Sequence, residues 1–168
     1  MEKSDPPLVA CIDQQTLTTL EQLQERIEYR FHNRTLLVQA MTHKSFAHEK
    51  GLEDNERLEF LGDAILQFVI SEHLMRNYPD LPEGMLSKFR AVLVSEKGLS
   101  SLAKKIDLGS YLFIGKVEEI TGGREKSSIL SDALEALFSA VFLDSRSEHS
   151  IMVVSRLITN LFHDEIKA

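Results

Sequence analysis

Asn55-Glu56-Arg57-Leu58-Glu59-Phe60-Leu61-Gly62-Asp63 is the stretch on which the reading of this chain turns. It runs without a break into Ala64-Ile65-Leu66-Gln67-Phe68-Val69-Ile70, and the whole predicts a helix over 55–77 that stops before Pro79. At the pitch of an α-helix, Glu56, Glu59 and Asp63 fall within about 60° of one another. Leu58, Leu61, Ile65, Phe68 and Val69 form the opposite face, so the first two turns alone fit an ordinary amphipathic helix with a solvated acidic side. The continuation argues otherwise. Leu66 and Ile70 lie on the acid side, the helix becomes apolar nearly all round, and such a helix is expected to be buried with its acids facing a partner rather than open water.

A second helix is expected over 128–143, where almost every position is apolar. Its polar exceptions Asp132, Glu135 and Ser139 line up at i, i+3, i+7 as one narrow stripe. A buried stripe of this kind is either a satisfied hydrogen-bond network or a ligand site. No Lys or Arg lies on it, so neighbouring carboxylates would repel and raise each other's pKa unless a cation sits between them. The two acidic stripes predict one cluster of Glu59, Asp63, Asp132 and Glu135 around a divalent ion. Hard oxygen ligands favour Mg²⁺, with Mn²⁺ as a substitute, and such ions activate water for attack on phosphorus.

Outward from these helices the pattern stays helical. Thr16 or Thr18 caps a first helix reaching about 29, Asn33 a short one over 35–43, and Ser95 one reaching about 106. Pro82-Glu83-Gly84 opens a helix over 85–94, and the tail over 148–166 has the spacing of a packed helix. The polar segments 45–54 and 116–126 read as loops, and 108–115 as short and irregular. No strand pattern occurs, so the expected fold class is all-α: a loose extension over 1–15 followed by one helical domain over 16–168.

Composition narrows the function classes. With 168 residues and 43% hydrophobic content, the chain has material for one proper core. No run is apolar enough to span a bilayer and no secretory signal opens the chain, so a membrane location is not expected. Cys11 is the only cysteine, which excludes an intrachain disulfide and fits a cytoplasmic location. The net charge of −7 counts against a general nucleic-acid binder, unless bound cations cancel part of it locally.

At this point the residues resemble a known family. Residues 55–63, with Ala64 following, match the signature of ribonuclease III. Thr42-His43-Lys44-Ser45, Glu83-Gly84-Met85-Leu86-Ser87-Lys88 and 128–136 resemble its flanking blocks in order and spacing from about 20 to 144. The resemblance implies a helical bundle that forms a homodimer and acts on double-stranded RNA. It implies a divalent-metal-dependent endoribonuclease that hydrolyses phosphodiesters to 5′-phosphate products with short 3′ overhangs during RNA processing. By carry-over, Glu59, Asp63, Asp132 and Glu135 are the metal ligands, with Asp63 and Glu135 the catalytic acids. Glu56 and Glu83 help position RNA, and Phe60 inserts into the partner subunit. Lys44 and Lys126 are the basic residues expected at phosphates, Lys126 because it directly precedes the second acidic helix. His43 is expected to serve a helix end. The sequence to Ala168 is expected to carry no separate double-stranded-RNA-binding domain, which predicts weak, salt-sensitive RNA affinity. A non-catalytic ribonuclease III-fold subunit that binds RNA or ribosomes is the alternative. It is disfavoured because all four acids are present.

Overall fold

The computed structural model describes residues 12–145 and 148–167. These form α1 (Gln14–Arg26), α2 (Arg34–Ala40), α3 (Lys44–Lys50), α4 (Glu56–Asn77), α5 (Glu83–Leu93) and α6 (Glu96–Lys105). They continue as α7 (Lys116–Ile120), α8 (Ser127–Asp144), α9 (Ser150–Leu161) and α10 (His163–Lys167), with 3₁₀ turns at Leu108–Tyr111 and Gly123–Glu125. The only pairing outside helices among the described residues is an isolated parallel bridge between Thr42 and Phe113. The fold is all-α. No described helix is long and apolar enough to cross a membrane.

The bundle is organised around α8. Its residues Leu130, Ala133, Leu134, Ala136, Leu137, Phe138, Ala140 and Val141 are all buried, because α2, α4, α6 and α9 pack around it. Most of the helix is therefore shielded from solvent, with Asp132 and Glu135 half-buried and Ser128 and Leu143 exposed near its ends, and each buried polar group on it needs a specific partner. Asp144, at its end, has several. Its buried carboxylate accepts from the Tyr29 hydroxyl at 2.8 Å and from the backbone N–H of His32 at 2.9 Å and Asn33 at 2.7 Å. Asn33 in turn caps α2 by accepting from Thr35 N–H, so this carboxylate ties the start of α2 to the end of the central helix. Burial alone would raise the pKa of Asp144, but the His32, Asn33 and Tyr29 donors hold it below the usual aspartate value. The stability it contributes is present above the pKa of an unfolded aspartate and is lost as pH falls through the lower folded value. Asp144→Asn leaves a donor facing a donor and is expected to cost about 1–3 kcal/mol in urea unfolding at pH 7. The loss should shrink toward acid pH, and a constant difference between pH 7 and pH 3 would refute the account.

Several local expectations need correction. The first helix is capped by Asp13, whose side chain accepts from Thr16 N–H, and not by Thr16 or Thr18. Of the extension expected over 1–15, residues 1–11 lie outside the described residues, and Gln14 and Gln15 already belong to α1. Segment 45–54 is not wholly loop: it contains α3, which ends at Gly51 in the left-handed region (φ 66°). Segment 116–126 likewise holds α7. The tail is two helices, interrupted at Phe162, whose buried ring fills the core.

The expectation that α4 is buried all round is wrong on one side. Leu58, Ile65, Leu66, Val69, Ile70 and Leu74 are buried, but Phe60 is 82% exposed, Phe68 58% and Met75 62%. Phe68, assigned to the core face, lies instead with Phe60 on an outward apolar stripe. Nothing among the described residues covers that stripe, and a hydropathy pattern does not distinguish burial within a chain from burial between chains.

Candidate metal centre

The site forms where α4 crosses α8. A Cβ built on Gly62 would lie 1.9 Å from the Glu135 carbonyl oxygen and 2.4 Å from its carbonyl carbon. Only a residue without a side chain allows the two backbones this close. The start of α4 is fixed separately. Buried Asn55 donates from its side chain to the Ala40 carbonyl at 3.1 Å, and its backbone N–H donates to the Thr42 carbonyl at 3.0 Å. Glu59 follows one turn later, its N–H bonded to the Asn55 carbonyl. Asn55 and Gly62 therefore set the rotation and the depth of the acidic face of α4.

This crossing brings Glu59 from α4 together with Asp132 and Glu135 from α8. One carboxylate oxygen of each lies within 4.8 Å of the others, and all three residues are partly buried. The electrostatics record three acids with too little positive charge between them. The Glu135 carboxyl is pushed up to about 8, first by burial, then by the negative charges of Asp63, Glu59 and Asp132. Burial, followed by Asp132 and Glu56, raises Glu59, and burial raises Asp132. Lys44 offsets part of this from the side. Three hard oxygen donors at this spacing fit a small divalent cation, which would remove the repulsion.

Asp63 occupies a different position from the other three acids. It is exposed, and its Oδ1 accepts from Gln67 Nε2 at 3.4 Å, one turn along α4. It lies outside the close trio, yet its charge is the strongest single influence on Glu135 after burial. The expectation that Asp63 is shielded from water by a partner is thus not met within one chain.

Of the remaining residues of interest, Lys44 and Glu56 act on the trio, and Lys126 and Glu83 have partners elsewhere. Lys44 pairs with Glu56 at 3.3 Å, both exposed, next to Glu59. Lys126, just before α8, pairs with Glu118 of α7 and reaches Thr121 Oγ1 at 3.3 Å. Glu83 sits in the first turn of α5 and accepts from the Ser87 hydroxyl at 2.6 Å. His43 serves a helix end, but at the start of α3 rather than at the end of the helix expected over 35–43: its Nδ1 accepts from Ser45 N–H and caps α3. Gly62 and Glu118 were not singled out from the sequence. A lone glycine inside an apolar helix was the available signal for the first. For Glu118, misread as part of a loop, there was none.

The chain resembles known proteins along most of its length. A family model described as Ribonuclease-III-like matches residues 33–161. The Ribonuclease 3 of Caldanaerobacter subterraneus subsp. tengcongensis is 52% identical over 149 residues, covering 88% of this chain and 64% of the relative. That of Streptomyces coelicolor is 45% identical over 161 residues, 95% of this chain and 57% of the relative. The chain thus spans about three fifths of the length of these curated relatives. Among solved structures, the nuclease domain of ribonuclease III from Campylobacter jejuni superposes with a TM-score of 0.76 at 44% identity, over 86% of this chain and 99% of that one. It is described as structurally flexible in the region involved in dimer formation. Dicer from Pichia stipitis, at 19% identity, a TM-score of 0.60 and 81% coverage of this chain against 57% of its own, shares the fold.

Proposed function

The chain belongs to the ribonuclease-III-like family, and on that premise we propose that it is the nuclease part of a divalent-metal-dependent endoribonuclease that cuts double-stranded RNA in the cytoplasm. The observation that carries this reading is the trio of Glu59, Asp132 and Glu135, three carboxylate oxygens within 4.8 Å on two helices that cross at Gly62. Mg²⁺, or Mn²⁺ in its place, would supply Lewis acidity at the scissile phosphate and make water a nucleophile near neutral pH. Glu59, Asp132 and Glu135 would hold the ion. Asp63, exposed beside them, would orient the incoming water or complete the ligand set.

In the reaction a water oxygen attacks phosphorus in line with the 3′ oxygen and the P–O3′ bond breaks. The 3′ oxygen leaves with a proton, and the phosphate stays on the 5′ end. Double-stranded RNA is read by shape across its minor groove. Lys44 and Lys126 would meet phosphates after giving up the exposed pairs with Glu56 and Glu118, which hold them only weakly. Glu56 and Glu83 would accept from ribose 2′-hydroxyls. Cleavage of both strands with a short 3′ overhang requires two sites, and a homodimer supplies them.

The exposed stripe of Phe60, Phe68 and Met75 is the natural seam for that homodimer. Phe60→Asp is expected to convert dimer to monomer in sedimentation at micromolar concentration with helix content unchanged, since the ring makes little contact within its own chain. A stable Phe60→Asp dimer would remove Phe60 from the interface. The activity is tested by incubating the protein with a long labelled RNA duplex, with Mg²⁺ or with chelator, at low salt. Metal-dependent conversion to short 5′-phosphorylated duplexes supports the reading. An inert, folded dimer in both Mg²⁺ and Mn²⁺ would favour a non-catalytic role.

A further inference from the structure

The edge of α4 that carries Asp63 continues away from the trio as a chain of polar side chains. Asp63, Gln67 and Ser71 follow one another at four-residue spacing, which drifts only about 40° per step around the helix. Gln67 Nε2 donates to Asp63 Oδ1 at 3.4 Å, and the Ser71 hydroxyl donates to the Gln67 carbonyl at 2.6 Å. The same hydroxyl oxygen accepts from Nη1 of Arg90, on α5, at 2.7 Å. This edge begins beside Gly62, where α4 crosses α8, and reaches Ser71 about 12 Å along the helix.

Of the basic residues from α3 through α8, only Arg90 and Arg124 are partly buried. Arg124 is fully engaged, with Glu119 and with the Gly109 and Leu112 carbonyls. Arg90 has one bond, to a neutral hydroxyl, and no carboxylate among the described residues pairs with it. Its Nε–Nη2 edge, a pair of parallel donors that fits a phosphate, is unengaged among the described residues. Lys44 and Lys126, by contrast, must give up Glu56 and Glu118 to take an anion. Lys88 and Lys97 are exposed lysines that no bond aims. A partly desolvated guanidinium is costly until an anion meets it. The polar edge that holds Arg90 starts at the metal centre, where the scissile phosphate would sit, so the anion that arrives along it is the RNA strand.

We propose that Arg90 binds an RNA backbone phosphate flanking the scissile one, through its Nε–Nη2 edge, with Ser71 as the positioning residue that aims the guanidinium. This rests on the endoribonuclease reading above and adds to it a substrate contact on α5. A contact to a flanking phosphate is made equally before and during the cut, so it strengthens binding without changing the chemical step. It carries no sequence information and belongs to the electrostatic, salt-sensitive part of the affinity.

The test is steady-state cleavage of a labelled RNA duplex in Mg²⁺ at several salt concentrations, beside sedimentation and helix content. Arg90→Gln is expected to raise KM by about tenfold at low salt with kcat within about twofold of wild type. The slope of log(kcat/KM) against log salt should become shallower by about 0.9, the loss of one phosphate contact. Arg90→Lys keeps the charge and should keep the wild-type slope. Ser71→Ala suits a helix and leaves the charge in place, so it should raise KM by a smaller factor at unchanged slope. Wild-type KM and slope in folded Arg90→Gln overturn the proposal and leave the nuclease reading standing. A loss of kcat at unchanged KM also overturns it, by placing Arg90 at the reacting phosphate. So does conversion of dimer to monomer, which would give the guanidinium to a carboxylate of a second copy. An inert wild type removes the nuclease reading and the proposal with it. Should Arg90→Gln fail to fold, Ser71→Ala decides: a raised KM supports the proposal, and a wild-type KM overturns it.

Discussion

Glu135→Gln is expected to lower metal-dependent cleavage of duplex RNA by at least about a hundredfold while making the metal-free protein more stable at pH 8 and above. Both effects come from one charge. In the metal-bound protein Glu135 would supply the anionic oxygen most enclosed by the other acids, and an amide replaces it with a neutral, weaker donor. In the metal-free protein the same carboxylate is held against burial and against Asp63, Glu59 and Asp132, which push its pKa to about 8 from an ordinary 4.5. The folded state therefore binds this proton more tightly than the unfolded chain. Its contribution to stability is full below the pKa of an unfolded glutamate and is lost as pH rises through about 8. Thermal melts of metal-free wild type should fall across that window, and those of Glu135→Gln should fall less. Binding of Mg²⁺ near pH 7 should release a proton, visible as a buffer-dependent heat in titration calorimetry. Cleavage by the variant within tenfold of wild type would remove Glu135 from the site. An undiminished alkaline loss of stability would show that its charge is not the source of the strain.

Gly62→Ala is expected to damage fold and site together. The added methyl carbon would stand 1.9 Å from the Glu135 carbonyl oxygen, and the obstacle is helix backbone rather than the end of a flexible side chain. Relief requires α4 and α8 to separate. Overpacking normally costs about 1–3 kcal/mol, and a contact with rigid backbone belongs at or above the top of that range. The chemistry suffers further, because the oxygens of Glu59 and Glu135 belong to the two helices being forced apart, and a misplacement of about 1 Å is worth roughly a hundredfold in rate. Gly84→Ala is the control. A Cβ there meets nothing within 4 Å, and alanine favours the helix, so its effect should be neutral or slightly stabilising. Urea unfolding and Mn²⁺ titration of the two variants test the argument, and a Gly62→Ala protein with wild-type stability would contradict the close crossing.

Long-range features of this fold were legible in the sequence where one residue pattern had one physical solution. The polar stripe on an otherwise apolar α8 pointed to a hydrogen-bond network or a ligand site, and the acids of α4 were the groups expected to meet it; Glu59 does, whereas Asp63 lies outside the trio. Asn33 and Ser95 were recognisable caps because their side chains accept from backbone N–H groups in the usual way. The sequence was silent where the partner was unusual. The start of α3 is capped by a histidine nitrogen, which no cap preference anticipates. Helix α7 has five residues, and its Glu118–Lys126 and Glu119–Arg124 pairs exist only once the loop has folded back. The exposure of Phe68 and Asp63 was hidden for a related reason. Apolar periodicity reports that a face is covered, but not by which chain.

The enclosure of α8 also governs how the site can come apart. Amide protons in the buried middle of α8 are expected to exchange with solvent only when the domain unfolds as a whole, whereas those in the first turns of α4, beside exposed Glu56 and Arg57, are expected to exchange through smaller openings. The two halves of the centre thus sit at opposite ends of the protein's exchange spectrum. Asp132 and Glu135 stand on the more protected helix, and a bound ion would be released more readily through motion of the Glu59 half. Amides following Asn55 should gain protection on addition of Mg²⁺, while those of 130–141 should already be at the global limit without it.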